Sequence, residues 1–379
     1  MSRARVLVVD DEPGLLRAVE RVLAASYHTL CCRSAREALE RAPAFAPDIA
    51  LVDVRMPDRS GFELMDDLRA VCPAVDVIVM TGSLGQLDQS LVRAIRMKAF
   101  YFIQKPFDRD VLLTLLGRCM EVRRLADENR SHVHRLESEL SAARAFQQGL
   151  LKPTPACLNG LTISACYLPS AELGGDFYDF ASAAGSTAVL VADAAGHGAA
   201  AAMLTGVVKS AFDATRDEGY QPLAVVSRVA EALGGFEPQR FVTLCCVRVD
   251  RSRGELEYVC AGHPPGWIWG PARPAERLDA TGLLISSAFR GDRWTARRVR
   301  FDEGDCLLLY TDGVIEREGP EGAFGEERLR AALDRKPLEG DAVLSEVLDL
   351  VNVFAGNTPA ADDMTLLLVQ SQAGRGLPA

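Results

Sequence analysis

Five short apolar runs in the first 105 residues constrain the N-terminal fold more than any other feature: RVLVVD (5–10), YHTLCC (27–32), DIALVDV (48–54), VDVIVMT (75–81) and AFYFIQ (99–104). Runs of this length, rich in β-branched residues and with no polar alternation, read as strands buried on both faces. Between them, GLLRAVERVLAA and GFELMDDLRAV carry apolar residues at helical spacing. Strand and helix alternating five times predict an α/β doubly wound unit: a five-stranded parallel sheet with right-handed crossovers. Ligands of such sheets bind at the carboxyl ends of the strands.

At that edge the sequence gathers charge. Asp10 and Asp11 close the first run, Asp53 the third, Thr81 the fourth, and Lys105 follows the fifth, just before Pro106. A strand-terminal Asp alone is usually a cap for the next helix. Three carboxylates meeting at one edge repel each other unless a hard divalent cation joins them, and Mg2+ accepts such oxygen ligands. A lysine and a hydroxyl beside them can stabilise a phosphoryl group on one carboxylate. Through VVDDE, LVDVRMPDRSG, VMTGS and FIQKPF, residues 3–122 resemble the response-regulator receiver family. The resemblance implies that Asp53 accepts phosphate from a histidine kinase and that Asp10, Asp11, Asp53 and the Arg55 carbonyl hold Mg2+. It also implies that Thr81 and Lys105 contact the phosphoryl oxygens, that Phe102 takes the place of the switch aromatic, and that Pro106 is cis.

From about residue 117 to 150 turn formers are few and charges many. Alternating steps of four and three pick out Val122, Ala126, Asn129, Val133, Leu136, Leu140, Ala143, Gln147 and Leu150. This seam fits either a solvated single linker helix or, the reading preferred here, a parallel dimeric coiled coil with Asn129 fixing register. Pro153 and Pro155 end it. The expected domains are a receiver at 1–122, a helical coiled-coil linker at 123–150 and a second domain at 151–372.

Beyond the prolines the chain is strand-rich, with STAVLVAD, RFVTLCCVRVD, GELEYVCAG, GDCLLLYTD and MTLLLVQ, and with helical patterns at GAAAAMLTGVVKSAF, PLAVVSRVAEAL, EERLRAALDR and AVLSEVLDLVNVF. This order predicts an α+β sandwich. Four acidic clusters lie at strand ends or turns: Asp176 and Asp179 in GGDFYD, Asp193 in VADAAGHG, Asp312 in YTDGV, and Asp362 and Asp363 in ADDMT. One Asp-Gly pair is as often a plain turn. Four clusters converging without basic partners call for cations, and the lack of a Cys/His set favours Mg2+ or Mn2+ over zinc. Two such metals activate a water and clamp a phosphate for in-line attack.

These segments, from FQQGLLKP through AELGGDFYDF, AGHPPGWIW, GDCLLLYTDGVIE and FGEERL, resemble the metal-dependent protein phosphatase (PPM) superfamily, in its bacterial branch typified by the stage II sporulation phosphatase. The resemblance implies a PPM sandwich in which Asp176, Asp193, the Ala194 carbonyl, Asp312 and Asp362 bind two Mn2+ or Mg2+ ions. Asp363 stands where relatives often have Asn, and His197 is a candidate general acid. His263, before Pro264 and Pro265, reads as a turn residue. Two segments depart from the family pattern: DVSGHG becomes DAAGHG, and a loop that usually resembles GxPLG reads TGLLISS (281–287).

Charge narrows the remaining classes. Residues 1–125 carry 18 basic and 17 acidic groups, whereas residues 151–379 carry 21 and 31. An acidic C-terminal domain argues against nucleic-acid binding. No signal-like leader and no apolar run of about 18 residues is present, so the expected location is the cytoplasm, with no membrane partner. Ten cysteines lack CxxC spacing and read as small buried hydrophobes. Taken together, the sequence predicts a response regulator in which Asp53 phosphorylation controls dephosphorylation of phosphoserine or phosphothreonine in a protein, implied by the resemblance to be an anti-sigma-factor antagonist of the STAS type. The alternative is a non-catalytic adaptor that binds a sigma factor or protease partner under receiver control.

Overall fold

A computed structural model describes residues 3–82, 101–271, 273–289, 294–334 and 342–372. The helix expected between the fourth and fifth apolar runs falls outside them. The chain divides into two compact units, Met1–Arg135 and Leu136–Ala379.

In the first unit the five runs form β1 (Arg5–Val9), β2 (His28–Cys32), β3 (Ile49–Asp53), β4 (Asp76–Thr81) and β5 (Tyr101–Gln104). All pair in parallel, in the order β2-β1-β3-β4-β5. Alternate residues of each strand serve two cores. Leu7, Val9, Ala50, Val52, Val77 and Val79 pack under helices Ala35–Phe45 and Gly61–Val71. Val6, Val8, Ile49, Leu51, Ile78 and Met80 pack under helix Pro13–Leu23 and the first turns of helix Arg109–Leu150. This double burial is why the runs show no polar alternation. Local signals start the helices: Pro13 opens the first, the Ser34 side chain accepts from Glu37 N, and Ser60 and Glu63 form a capping box.

Helix Arg109–Leu150 runs 42 residues, covering the seam without a break. Val122, Val133, Leu136 and Leu140 of the seam are exposed, but its last members are not. Gln147 is buried and Leu150 packs into the core of the second unit, so these two positions are committed within their own domain, which corrects their place in the seam.

The second unit stacks two antiparallel sheets between two helical layers. One sheet has the order β14-β11-β10-β9-β8 and the other β13-β12-β15-β18-β7-β6. Their strands are β6 (Ala156–Leu158), β7 (Leu161–Leu168), β8 (Asp176–Ala183), β9 (Ser186–Ala194), β10 (Val242–Asp250), β11 (Glu255–Ala261), β12 (Gly266–Gly270), β13 (Arg273–Leu278), β14 (Arg297–Arg300), β15 (Cys306–Tyr310) and β18 (Met364–Ser371); β16 (Glu318–Gly319) and β17 (Gly322–Ala323) form a separate hairpin. Val189, Val191, Cys245, Val247, Leu307, Leu309, Leu367 and Val369 interleave between the sheets. Leu190, Ala192, Leu244 and Cys246 point the other way, under helices Ala199–Ala214 and Pro222–Leu233. Leu308, Tyr310, Leu366 and Leu368 lie under helices Gly325–Leu333 and Ala342–Ala355. Each such buried side chain contributes about 1.5–3 kcal/mol relative to exposure. All ten cysteines are free thiols.

Candidate active sites

The carboxyl edge of the receiver sheet brings its predicted residues together. Ligand oxygens of Asp10, Asp11 and Asp53 all lie within 4.8 Å of one another. The Lys105 ammonium bonds the Asp10 carboxylate and lies 2.8 Å from Asp53 Oδ1. Burial raises the Asp53 pKa, and Lys105 offsets part of the rise. Burial alone would lower the Lys105 pKa, but its bonds to Asp10 and Asp53 outweigh that and raise it. The edge thus holds one partly buried cation against three carboxylates, leaving net negative charge for a divalent ion. Lys105 N donates to the Thr81 carbonyl at 2.7 Å, and the Lys105–Pro106 bond is cis. Arg55 and Phe102 are exposed.

In the second unit the acidic clusters split. Asp176 and Asp193 face each other across β8 and β9, at the end of the space between the two sheets. Asp176 is almost fully buried, and its Oδ2 accepts from the hydroxyls of Thr311 and Thr365, each at 2.7 Å. Only Oδ1 remains for another ligand. Burial and then the Asp193 charge hold the Asp176 carboxyl well above the usual range. Asp193 is pushed up to about 7 by burial, then by Asp312, Asp362, Asp363 and Glu316. Asp312, the first residue of the short helix Asp312–Ile315, is raised by burial, Asp362 and Glu316. Among the described residues no cation forms an ion pair with any of the three. Carboxylates that raise one another's pKa with no cation beside them among the described residues fit hard divalent ions.

Two glycines permit the convergence. A Cβ on Gly313 would lie 1.9 Å from the Asp363 carbonyl, so only glycine lets the Asp312 turn pack on the Asp362–Asp363 segment. A Cβ on Gly175 would lie 2.6 Å from the Ala194 carbonyl oxygen. Ala194 N in turn donates to Gly175 O at 3.0 Å, so the predicted carbonyl ligand rests directly on the Gly174–Gly175 turn.

Asp179 is a correction. Read from the sequence as part of a cluster without basic partners, it is fully buried between Lys209 (2.7 Å) and Lys152 (3.2 Å), on the helix-facing side of β8. Asp363 is also satisfied internally: Oδ1 accepts from Ser170 N and Oγ, and Oδ2 from Gly175 N. Asp362 is exposed, and His197 is exposed just before helix Ala199–Ala214.

The sequence reading did not find Gln147, Thr243, Thr311 or Thr365. Gln147 Nε2 donates to Gly174 O at 2.7 Å, and Gly174 N donates to Gln147 Oε1 at 3.3 Å, a two-point grip on the turn beneath Ala194. His263 lies in the bend between β11 and β12, as expected of a turn residue, and is buried there, with Nδ1 2.8 Å from Thr243 Oγ1; burial pushes its pKa down to about 3. Thr243 pairs with Asp193 across β10 and β9, so a neutral imidazole backs the site.

Fold and sites together define a receiver domain joined to a PPM-type serine/threonine phosphatase domain. The family described as stage II sporulation protein E (SpoIIE) matches residues 183–372, and the response regulator receiver domain matches residues 6–117. The chain belongs to the SpoIIE family. It is similar to phosphoserine phosphatase RsbU of Bacillus subtilis, 28% identical over 185 residues, covering 48% of this chain and 54% of that protein. Among solved structures, the RsbU and RsbW domains of Rv1364c from Mycobacterium tuberculosis align at 28% identity with a TM-score of 0.50, over 60% of this chain and 65% of that one. The SiaA-PP2C domain of Pseudomonas aeruginosa, 23% identical with a TM-score of 0.55 over 62% of this chain and 97% of that one, shares the fold. The chain spans about half or less of the length of the curated relatives it matches.

Proposed function

We propose that this chain is a response regulator in which phosphorylation of Asp53 by a histidine kinase controls metal-dependent hydrolysis of phosphoserine or phosphothreonine in a protein substrate. The observation that carries the reading is the set of buried Asp176 and partly buried Asp193 and Asp312, mutually repelling and without an ion-paired cation among the described residues. Asp193, Asp312, Asp362, the free oxygen of Asp176 and the Ala194 carbonyl would hold two Mn2+ or Mg2+ ions, and Asp10, Asp11, Asp53 and the Arg55 carbonyl one Mg2+. When bound, the phosphatase metals supply a water activated near neutral pH and neutralise the phosphoryl oxygens. Thr311 and Thr365 fix the Asp176 rotamer, and the Gly174–Gly175 turn sets the height of the Ala194 carbonyl. Asp363 acts by holding that turn rather than as a ligand.

In the receiver, Thr81 and Lys105 take the phosphoryl oxygens and Phe102 is the aromatic that responds. The exposed valines and leucines of the seam support a homodimer joined through the helix. A STAS-type anti-sigma-factor antagonist is the substrate class we propose, and the likeness to a phosphoserine phosphatase supports a phosphoserine-bearing protein as substrate. His197, exposed beside the site, is assigned no essential proton transfer.

The test is hydrolysis of p-nitrophenyl phosphate and a phosphoserine peptide in Mn2+, with and without acetyl phosphate. Turnover that changes with acetyl phosphate in wild type but not in Asp53→Asn is expected. Protein inert under every condition that still binds a partner tightly is instead the adaptor.

A smaller effect is expected at the turn. Gln147→Ala leaves the buried Gly174 amide and carbonyl short of partners, at about 1–3 kcal/mol. Mn2+ binding should weaken about tenfold, read by titration against the electron paramagnetic resonance signal of free Mn2+. Unchanged affinity would mean that Asp363 alone sets the turn.

A further inference from the structure

His263 stands where the chain leaves β11 of one sheet for β12 of the other. Gly262, at φ +63°, turns the chain there, and Pro264 and Pro265 follow. Asp176, Asp193 and Thr243 form a row across β8, β9 and β10, each directly opposite the next. All three face the other sheet, because their neighbours Phe177, Ala192 and Leu244 point under the helices. Thr243, the last of the row, meets His263 Nδ1 at 2.8 Å.

The ring also faces the Tyr310 backbone of β15, whose carbonyl offsets part of the burial. Continuing the β12–β15 register two residues past Trp267↔Leu308 sets Pro265 opposite Tyr310, and proline has no N–H to offer that carbonyl. With Nδ1 taken by Thr243, the carbonyl falls to Nε2, which is buried and has no hydrogen bond of ordinary geometry. A carbonyl only accepts, so the neutral ring carries its proton on Nε2, and Nδ1 accepts from the Thr243 hydroxyl. The hydroxyls at Asp176 behave differently: Thr311 and Thr365 both donate to its Oδ2. Directly opposite residues of an antiparallel pair have Cβ atoms about 4.5–5.5 Å apart, which brings Thr243 within reach of the Asp193 carboxylate. Among the described residues, however, nothing donates a hydrogen bond to that carboxylate.

We infer that His263 is a positioning residue of the metal site: it accepts the hydrogen bond of the Thr243 hydroxyl and so leaves both oxygens of Asp193 free for two cations. The inference rests on the phosphatase reading above. Asp176 has one oxygen to give, because two threonines occupy the other, so Asp193 is the carboxylate left to serve both ions. A hydroxyl aimed at Asp193 would take one of its lone pairs and weaken its hold on a cation. Histidine suits the position because a neutral ring accepts at one nitrogen and donates at the other. A lysine or arginine there would add a charge that competes with the cations, and an apolar residue would free the hydroxyl to turn to Asp193. His263 thus acts on the site through Thr243.

The experiment titrates the full chain with Mn2+ against the electron paramagnetic resonance signal of the free ion, with Asp53→Asn present throughout to weaken the receiver's own hold on it. In that parent, His263→Leu should weaken binding about tenfold, the effect of one hydrogen bond to a charged group. Adding Thr243→Val removes the freed hydroxyl and should return affinity to within about threefold of the parent, a recovery that damage to packing would not show. A single variant that binds like the parent overturns the inference, and so does a loss that the double variant does not repair. A second measurement needs no variant at this position: nitrogen-15 NMR of wild type labelled at histidine. The His263 signals are recognised because they stay unchanged from about pH 8 to about pH 5, as a ring with its pKa pushed down to about 3 must. They should show the proton on Nε2. A proton on Nδ1 would mean that the ring donates to Thr243, and the inference falls. A parent that binds no Mn2+ overturns the phosphatase reading itself and the role of His263 with it.

Discussion

Asp193→Ala is expected to lower kcat/KM for p-nitrophenyl phosphate by at least about a thousandfold in saturating Mn2+, with no loss of fold. Asp193 is the carboxylate on which the others converge: Asp312, Asp362 and Asp363 all act on it, and Asp176 pairs with it across the strands. Removing it takes away the group best placed to serve both cations, and metal assistance to phosphoryl transfer is worth several kcal/mol, with each 1.4 kcal/mol a factor of ten. Stopped-time assays across a range of Mn2+ concentrations check this. Activity within tenfold of wild type would sink the assignment of Asp193 as the central ligand.

The second large effect has the opposite sign and appears in stability. The Asp193 carboxyl is pushed up to about 7, against about 3.8 for the free side chain. Between those values the folded protein keeps a proton that the unfolded chain releases, so metal-free stability falls as pH rises through this window. The cost is absent below about pH 4, complete above about pH 7, and amounts to roughly 4 kcal/mol. Asp193→Asn removes the charge. In EDTA at pH 8 the variant should melt roughly 10 °C above wild type, and at pH 4 the two should coincide. Adding Mn2+ should then raise the wild-type melting temperature and barely move the variant. Equal melting of the two proteins in EDTA at pH 8 would show that the carboxylate cluster imposes no such cost.

The same result separates the chemistry of Asp193 from its effect on stability. A substitution that abolishes turnover yet leaves the metal-free protein as stable or more so has lost chemistry and not structure.

Much of this was legible in the chain, for stateable reasons. Strands buried on both faces leave continuous apolar runs, so the receiver strands and the central strands β9, β10, β11, β15 and β18 of the second unit could be read from the pattern of the sequence. Acids at strand ends are legible because a buried carboxylate needs a partner that can be looked for. Asp179 was misread although period two was available: it lies three positions from Asp176 and must point to the opposite face of β8. There it meets lysines from two distant segments, which local sequence does not announce. Gln147 was hidden differently. Its spacing fits the heptad seam, and only the folded domain shows that its amide is spent on the Gly174 backbone. Thr311 and Thr365, beside Asp312 and the Asp362–Asp363 pair, carry a weak local signal, since hydroxyls next to converging acids are natural donors to them.

The two-sided burial of the central strands also limits how such a protein can diversify. A changed side chain in β9, β10 or β18 disturbs a packed layer whichever way it points, since few residues of these strands look outward. Lineages that need a new target must therefore write the change into the connections at the strand ends, where a replacement alters what the enzyme meets without reopening its interior.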